Sequence, residues 1–202
     1  MSGSLFIVAA PSGAGKTTLV RALLSRDAAV RLSVSFTTRA PREGEVNGVH
    51  YNFTSSADFL ARRDRGEFLE WAEVHGNFYA SSRPWLEEQL AAGHDVLLEI
   101  DCQGAAQVRN IFPDAVSIFI QPPSFDVLGK RLRGRGTDSE EVIAQRLAAA
   151  EDEMRQVDHF DYVIINNDLQ VALDELCCVV RCARLRTAVV RARHPLSFLP
   201  AV

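Results

Sequence analysis

The sequence has no apolar run long enough to cross a membrane. A transmembrane helix needs about 18 or more consecutive apolar residues, whereas the run at residues 5–10 has only the length of a strand. Residues 1–4 carry no basic side chain, which a secretory signal would place ahead of its apolar region. These absences predict a cytoplasmic protein with no membrane partner.

Positive charge and cysteine are also scarce. The 22 Lys and Arg residues against 26 Asp and Glu give a net charge of -4, so we expect no nucleic-acid partner, and an anionic ligand must meet a local basic pocket. Of the four cysteines, Cys102 stands alone, while Cys177, Cys178 and Cys182 share an apolar, helix-like segment without C-x-x-C or a nearby His. This pattern predicts buried free thiols rather than a metal site.

The chain has no repeats and no linker, and its 202 residues suit one α/β domain. With 47% apolar and 24% charged residues, it is neither a disordered chain nor a disulfide-rich miniprotein. Short apolar runs at 5–10, 96–100, 116–120 and 162–165 are separated by helical stretches. They predict buried strands of a parallel sheet that is covered on both faces.

Two segments differ in texture from this core. Residues 34–79 alternate short apolar runs with aromatic and turn residues, which predicts an inserted, partly β subdomain. Residues 124–157 are Arg-rich and helical around a flexible elbow at 134–136, and Thr137 to Glu140 has capping-box spacing for the second helix. Residues 169–193 predict one long amphipathic helix, and 195–202 a tail.

The loop after the first strand is a candidate phosphate site. Backbone N–H groups around residues 13–17 can surround a phosphate at a helix N-terminus, Lys16 can reach the β and γ phosphates, and the Thr17 hydroxyl can bind Mg²⁺. Lys16 is one of only two lysines. The usual pattern, G-x-x-x-x-G-K-S/T, begins with Gly where this chain has Ala. The predicted nucleotide-binding residues are Ala10, Pro11, Ser12, Gly13, Ala14, Gly15, Lys16, Thr17 and Thr18, and the loop alone indicates only the nucleotide-binding class.

A second basic element follows at Arg39 and Arg42. Pro41 disfavours helix, and an extended polyproline-like stretch would place both arginines on one side, about 9 Å apart. Two guanidinium groups in that arrangement could bind a second, separate phosphate. Taken alone, they would more simply be solvated loop arginines.

Five further segments are distinctive: S-F-T-T-R-A-P-R-E-G-E, G-E-F-L-E-W-A-E-V-H-G-N-F-Y, L-L-E-I-D-C-Q-G-A, I-F-I-Q-P-P-S and R-L-R-G-R-G-T-D-S-E-E-V-I-A-Q-R-L. Together they closely resemble guanylate kinases, which convert GMP to GDP with ATP. The resemblance runs from residue 5 to about residue 168, with the motifs in matching order. It implies a P-loop core, an inserted GMP-binding subdomain and a mobile lid.

The resemblance also implies roles for single residues on the GMP side. It gives phosphate contacts to Arg39, Arg42, Tyr51 and Tyr79, and guanine contacts to Ser35, Glu70 and Ser81. Chemistry supports Glu70 independently: guanine presents N1–H and its N2 amino group side by side, whereas adenine has an acceptor at N1. A carboxylate accepts from both guanine donors and repels adenine. The two tyrosines could equally be core aromatics.

On the reacting side, the resemblance implies catalytic roles for Lys16, Asp101, Arg135 and Arg146. Asp101 closes the second strand, where such folds place ligands, and would lie near Mg²⁺ and GMP. Arg135 and Arg146 match lid arginines that reach the transferring phosphoryl group, with Arg131 a weaker candidate. One further departure is Ala80, which stands where the family usually has Gly after the tyrosine.

We therefore expect an α/β P-loop nucleoside monophosphate kinase fold in a single domain. Its core would be 1–34, 85–123 and 158–202, the GMP-binding subdomain 35–84 and the lid 124–157. The expected activity is direct in-line transfer from ATP to GMP with Mg²⁺ as cofactor, and a homo-oligomer is left open. Two alternatives remain: another P-loop kinase, which would leave Arg39, Arg42, Tyr51 and Glu70 unused, and a non-catalytic protein-binding module, which would usually lack the loop lysine or lid arginines.

Overall fold

The computed structural model describes residues 3–74, 76–134 and 139–194. Its strands form two sheets: a five-stranded sheet in the order β2-β7-β1-β8-β9, in which every neighbouring pair is parallel, and a four-stranded sheet in the order β4-β3-β6-β5. In chain order the strands are β1 (Leu5–Ala9), β2 (Val30–Leu32), β3 (Phe36–Thr37), β4 (Asn52–Phe53), β5 (Phe68–Val74), β6 (Asn77–Ser82), β7 (Asp95–Glu99), β8 (Val116–Gln121) and β9 (Tyr162–Ile165).

Helices cover both faces of the larger sheet, as predicted. Successive residues of β1 point to opposite faces, so Phe6 and Val8 join a core with one set of helices, while Leu5 and Ile7 join the core on the other face. The helices are α1 (Lys16–Arg26), α2 (Ser56–Asp64), α3 (Arg83–Ala91), α4 (Cys102–Ile111), α5 (Phe125–Arg133), α6 (Glu140–Met154), α7 (Leu169–Arg184) and α8 (Thr187–Arg193), with a 3-10 turn at Val157–His159.

The smaller sheet lies within the predicted inserted region. Its strands β5 and β6 are antiparallel, and it has its own aromatic core of Phe59 and Phe68 with Ala80. Ala80 is 1% exposed, so its methyl group fills space in this core. The substitution of Ala for the expected Gly is therefore accommodated by packing.

The larger sheet differs from the prediction at its two edges. Strand β2, which was not predicted, pairs with β7, and its three residues are too few to show a pattern. Strand β9 forms the opposite edge, and three of its four residues are exposed: Tyr162, Val163 and Ile165. The prediction of a buried strand there is wrong, because β9 has a neighbouring strand on one side only.

Two helix predictions also need correction. The cap of α6 is Ser139, whose hydroxyl accepts from the Val142 N–H, so the predicted capping box from Thr137 is wrong. The predicted helix at 169–193 is two helices, because the chain turns at Leu185 between α7 and α8. Residues 195–202, the predicted tail, and most of the elbow lie outside the described residues.

The cysteine prediction holds only in part. Cys177 is buried and Cys102 is half-buried, but Cys178 and Cys182 are exposed on α7. All four thiols are free. The described residues contain no group of three or more His, Cys, Asp or Glu side chains arranged to hold a metal ion, and none of their helices is both long and apolar enough to span a membrane.

Candidate active site

A cavity of about 590 Å³ lies at the carboxyl ends of β1 and β7, bounded by the smaller sheet and by α6. This is where ligands bind in parallel α/β sheets. Most of the residues predicted from the sequence line it. They are Ala10, Pro11, Ser12, Gly13, Gly15, Lys16, Thr17, Thr18, Ser35, Tyr51, Glu70, Tyr79, Asp101 and Arg146.

The loop between β1 and α1 has a backbone that requires glycine. Gly13 and Gly15 both have φ of 93°, in the left-handed region that side-chain-bearing residues avoid. A Cβ atom at Gly15 would collide with the Asn166 side chain, and one at Gly13 would lie within 3.0 Å of both Leu128 and Leu132 on α5. The two glycines therefore permit both the turn and close packing behind it.

Behind this loop, two side chains donate to one carbonyl oxygen. The Asn166 side-chain amide donates to the Ala14 carbonyl over 2.8 Å, and Arg131 Nη1 donates to the same oxygen over 3.2 Å. Arg131 Nη2 donates to the Asn166 carbonyl over 2.9 Å. The loop is thus held at the Ala14 carbonyl, and Ala14 is not among the residues that line the cavity. Arg131 donates to backbone carbonyls and is not among the residues lining the cavity, so its weaker assignment to the phosphoryl group stays a prediction.

Lys16 and Thr17 begin α1 and contact the end of β7. Lys16 Nζ donates to the Ile100 carbonyl over 2.6 Å, and the Thr17 hydroxyl donates to the Glu99 carboxylate. Sequence reasoning missed Glu99, which also lines the cavity. The available signal was an acidic residue at the end of an apolar strand, two positions before Asp101.

Asp101 links the cavity to α4. Its side chain accepts from the Gly104 N–H over 2.8 Å and so caps the helix. A Cβ atom at Gly104 would collide with the Glu70 carboxylate, so glycine at this position allows α4 to approach that side chain closely. The capping bond fixes Asp101 at the cavity wall beside Glu70.

Glu70 is the buried carboxylate of the cavity. It is 3% exposed and lies on β5 opposite Ser81 of β6. Burial raises its pKa to about 7, the nearby Asp101 adds to the rise, and Ser81 offsets part of it. The Ser81 hydroxyl is itself buried and makes no well-formed hydrogen bond with any described residue. A ligand with adjacent N–H donors would satisfy both groups.

Arg39 and Arg42 lie outside the cavity lining, on the loop after β3. Arg39 donates to both oxygens of Glu45 over 2.8 and 3.0 Å, and the Arg42 N–H donates to the same carboxylate over 2.7 Å. The Arg39 guanidinium lies 5.4 Å from the centre of the Tyr51 ring, which is 5.9 Å from the Tyr79 ring. The structure therefore brings Arg39, Tyr51 and Tyr79 together, while Arg42 is exposed.

Helix α6 forms the remaining wall, with Arg146, Asp152 and Glu153. Glu153, which sequence reasoning missed, is partly buried; burial raises its pKa to about 7, while Lys16 and the Ser12 N–H oppose the shift. The sequence contains no sign of its role, because Glu153 follows Glu151 and Asp152 and such an acidic run is typical of a solvated helix surface. The predicted Arg135 lies outside the described residues.

The cavity is rich in carboxylates. Its described lining contains six acidic side chains against Lys16 and Arg146. A polyphosphate entering such a cavity needs cations beyond these two residues. The hydroxyl of Thr17 and the carboxylates of Glu99 and Asp101 are the oxygen donors that Mg²⁺ prefers. Mg²⁺ usually takes only one or two protein ligands, with phosphates and waters supplying the rest.

Comparisons with known proteins agree on one family. The guanylate kinase family model matches residues 2–182. The guanylate kinase of Aromatoleum aromaticum is 64% identical over 96% of this chain and 95% of its own, and that of Dechloromonas aromatica is 61% identical over 98% of each. A crystal structure of guanylate kinase from Anaplasma phagocytophilum has a TM-score of 0.77 at 33% identity and covers 96% of both chains.

Proposed function

The chain belongs to the guanylate kinase family, and from this premise we propose how its own residues bind the two nucleotides and transfer the phosphoryl group. The activity itself is ATP:GMP phosphotransfer, which gives GDP and ADP. Neither alternative from the sequence is favoured by any feature of the site.

Glu70 recognises the guanine base. This assignment rests on the burial of the Glu70 carboxylate in the cavity. In its ionised form the carboxylate accepts from guanine N1–H and N2–H together, while Ser81 and Ser35 provide further polar contacts. Adenine places an acceptor at N1, which would face a buried negative charge without a donor. Buried polar groups left unpaired are costly, so such a site can reject the wrong base by about 10⁴ to 10⁵.

The GMP phosphate binds beside Arg39, Arg42, Tyr51 and Tyr79. Tyr51 and Tyr79 line the cavity, and the Arg39 guanidinium stands over Tyr51. Glu45 already holds Arg39 and the Arg42 backbone on one loop. An arriving phosphate therefore meets arginines whose loop is largely ordered, which lowers the entropy cost of binding.

ATP binds along residues 10–18. The N–H groups at the start of α1 surround the phosphates, and Lys16 exchanges the Ile100 carbonyl for phosphate oxygen. The oxygen donors near Thr17 fit Mg²⁺, with Thr17 as the proposed direct ligand and Glu99 and Asp101 nearby. Mg²⁺ bound with ATP would neutralise phosphate charge and help align the transferring group.

Residues 124–157 form the lid, 35–84 the GMP-binding subdomain, and the remaining residues the core. Arg146 faces the cavity from the lid, and Arg135 is assigned with it by resemblance alone. Transfer is direct and in line, so the residues supply position and charge without a covalent intermediate. Closure would exclude water and so suppress wasteful ATP hydrolysis.

We also propose a cytoplasmic location. All four cysteines are free, and free thiols persist in reducing compartments. ATP and GMP are also both available there.

A panel of monophosphates tests the proposed base reader. Wild type and Glu70→Gln are assayed with ATP and each of GMP, AMP, UMP, CMP and dTMP in a coupled ADP assay. We expect Glu70→Gln to lose most of its kcat/KM for GMP with little change in KM for ATP, because one acceptor oxygen becomes a donor. Glu88→Gln, at an exposed position on α3, is the matched control. Unchanged GMP kinetics in Glu70→Gln would place the base reader elsewhere.

A further inference from the structure

The outer face of α7 carries two thiols that phosphoryl transfer does not use. Cys178 and Cys182 are exposed one helical turn apart, with their sulfur atoms 4.0 Å apart. Neither lines the nucleotide cavity. They line a separate recess of about 460 Å³, together with Arg26, Asp174, Cys177, Arg181 and Leu185.

The helix geometry disfavours a disulfide between the two thiols. Residues four apart on a helix have Cβ atoms about 5–6 Å apart, whereas a disulfide needs about 3.5–4.5 Å. Closing the bond would distort α7, which packs on the core through Leu176 and Val180. The two sulfur atoms are therefore better placed to bind a shared ligand than to bond to each other.

A metal ion meets that geometric requirement. Metal–thiolate bonds are about 2.3 Å long, so two sulfur atoms up to about 4.6 Å apart can bind one ion. The observed separation of 4.0 Å lies within this limit. The thiols therefore need no movement of the helix backbone to share a ligand.

The number of donors selects the kind of ion. Structural zinc takes four protein ligands and catalytic zinc about three, but the described residues offer no suitable group of three. Cys177, the next thiol in the recess, is buried in the core. Soft thiolate ligands favour Cu(I) among the first-row ions, and Cu(I) is satisfied by two of them.

We propose that Cys178 and Cys182 form a two-thiolate site for one soft monovalent cation of the Cu(I) type. On binding, each thiol loses one proton and each sulfur forms one bond to the ion, so two protons are released and no oxidation state changes. The resulting unit carries one negative charge. Three other charged side chains line the recess: Arg26 pairs with Asp174, which leaves the positive charge of Arg181 to offset the negative charge of the site.

The test is anaerobic titration of the full chain with Cu(I) against a chromogenic Cu(I) chelator. We expect one tightly bound ion per chain, two protons released, and two sulfur ligands by X-ray absorption. Because even loss of an outer-shell partner costs about 10- to 100-fold in metal affinity, Cys178→Ser and Cys182→Ser should each weaken binding by more than about 100-fold. Cys102→Ser, which removes a thiol elsewhere, should bind like wild type.

Several results would overturn the site. Tight binding retained by the double variant would place the ion elsewhere, and an equal loss in Cys177→Ala would mean a three-thiolate site. Copper-dependent dimers at stoichiometric ion would show that two chains share the ligand. Ready formation of a Cys178–Cys182 disulfide in air with full retention of helicity would remove the geometric argument.

Discussion

The two proposed phosphate sites are held by the rest of the protein in different ways. The loop at residues 10–18 is held by hydrogen bonds to backbone carbonyls, from Asn166 and Arg131, and by packing against its glycines. The Arg39 loop is held by an ion pair with Glu45, both side chains about one-sixth exposed, at 15% and 16%. At the first site the supporting groups lie behind the loop, where a bound phosphate would not displace them. At the second site the supporting group is the Glu45 carboxylate, an anion like the phosphate itself.

This difference predicts how each place responds to mutation. Substitutions that disturb the phosphate loop, residues 10–18, should mainly lower kcat and kcat/KM for ATP. Substitutions that disturb the arginine loop, which carries Arg39 and Arg42, should mainly change the KM for GMP. Three substitutions separate these outcomes, in order of decreasing effect.

Removing Lys16 should have the largest effect. Lys16→Ala should lower kcat by about 10² or more, because in the proposed site the lysine stabilises charge that develops during transfer. Its thermal unfolding should stay close to wild type, since the one bond lost is the hydrogen bond from Lys16 Nζ to the Ile100 carbonyl. Lys130→Ala, at the other lysine, is the matched control and should keep wild-type turnover. Near-normal turnover in Lys16→Ala would contradict the assignment of the loop.

Removing the support behind the loop should have an intermediate effect. Arg131→Met keeps a long side chain but deletes both hydrogen bonds to the Ala14 and Asn166 carbonyls. Hydrogen bonds from charged groups are each worth about 1.5–3 kcal/mol, and Asn166 still holds the loop, so kcat/KM for ATP should fall about tenfold. The affinity for GMP should not change. Arg133→Met, on the exposed side of α5, is the control, and a selective loss of GMP binding in Arg131→Met would contradict the account.

Loosening the arginine loop should have the smallest effect. Glu45→Gln keeps a hydrogen-bond acceptor but removes the charge that holds Arg39 and the Arg42 N–H. We expect KM for GMP to rise a few-fold, with kcat and KM for ATP unchanged, because the arginines lose part of their preorganisation. A fall in KM for GMP would show instead that Glu45 competes with the phosphate.

The sequence predicts a site within one short segment better than a contact between distant segments. The proposed phosphate loop is contiguous, so its lysine, hydroxyl and glycines can be predicted from spacing alone. Glu70 and Ser81 face each other only because β5 and β6 pair, and resemblance was needed to connect them. The support of Ala14 by Asn166, 152 positions away, left no local signal.

Burial was the other property that the sequence predicted incompletely. An apolar run in β9 indicates a strand but does not say that the strand lies at a sheet edge. The acidic run around Glu153 likewise indicates a solvated helix, although packing brings this carboxylate to Lys16 and the Ser12 N–H. Such features depend on which elements meet, and a single sequence records that only indirectly.

The central claim, that the buried Glu70 carboxylate reads guanine, is tested most directly by the pH dependence of GMP binding. With a pKa near 7 in the free protein, wild type must ionise Glu70 to bind, so its affinity should fall up to about tenfold per pH unit below pH 7. The GMP phosphate also titrates, near pH 6, but it does so equally with Glu70→Gln. Calorimetric titration from pH 5.5 to 8.5 should therefore show an added dependence below pH 7 in wild type that is absent from the weaker-binding variant. Identical pH profiles for the two proteins would contradict the claim.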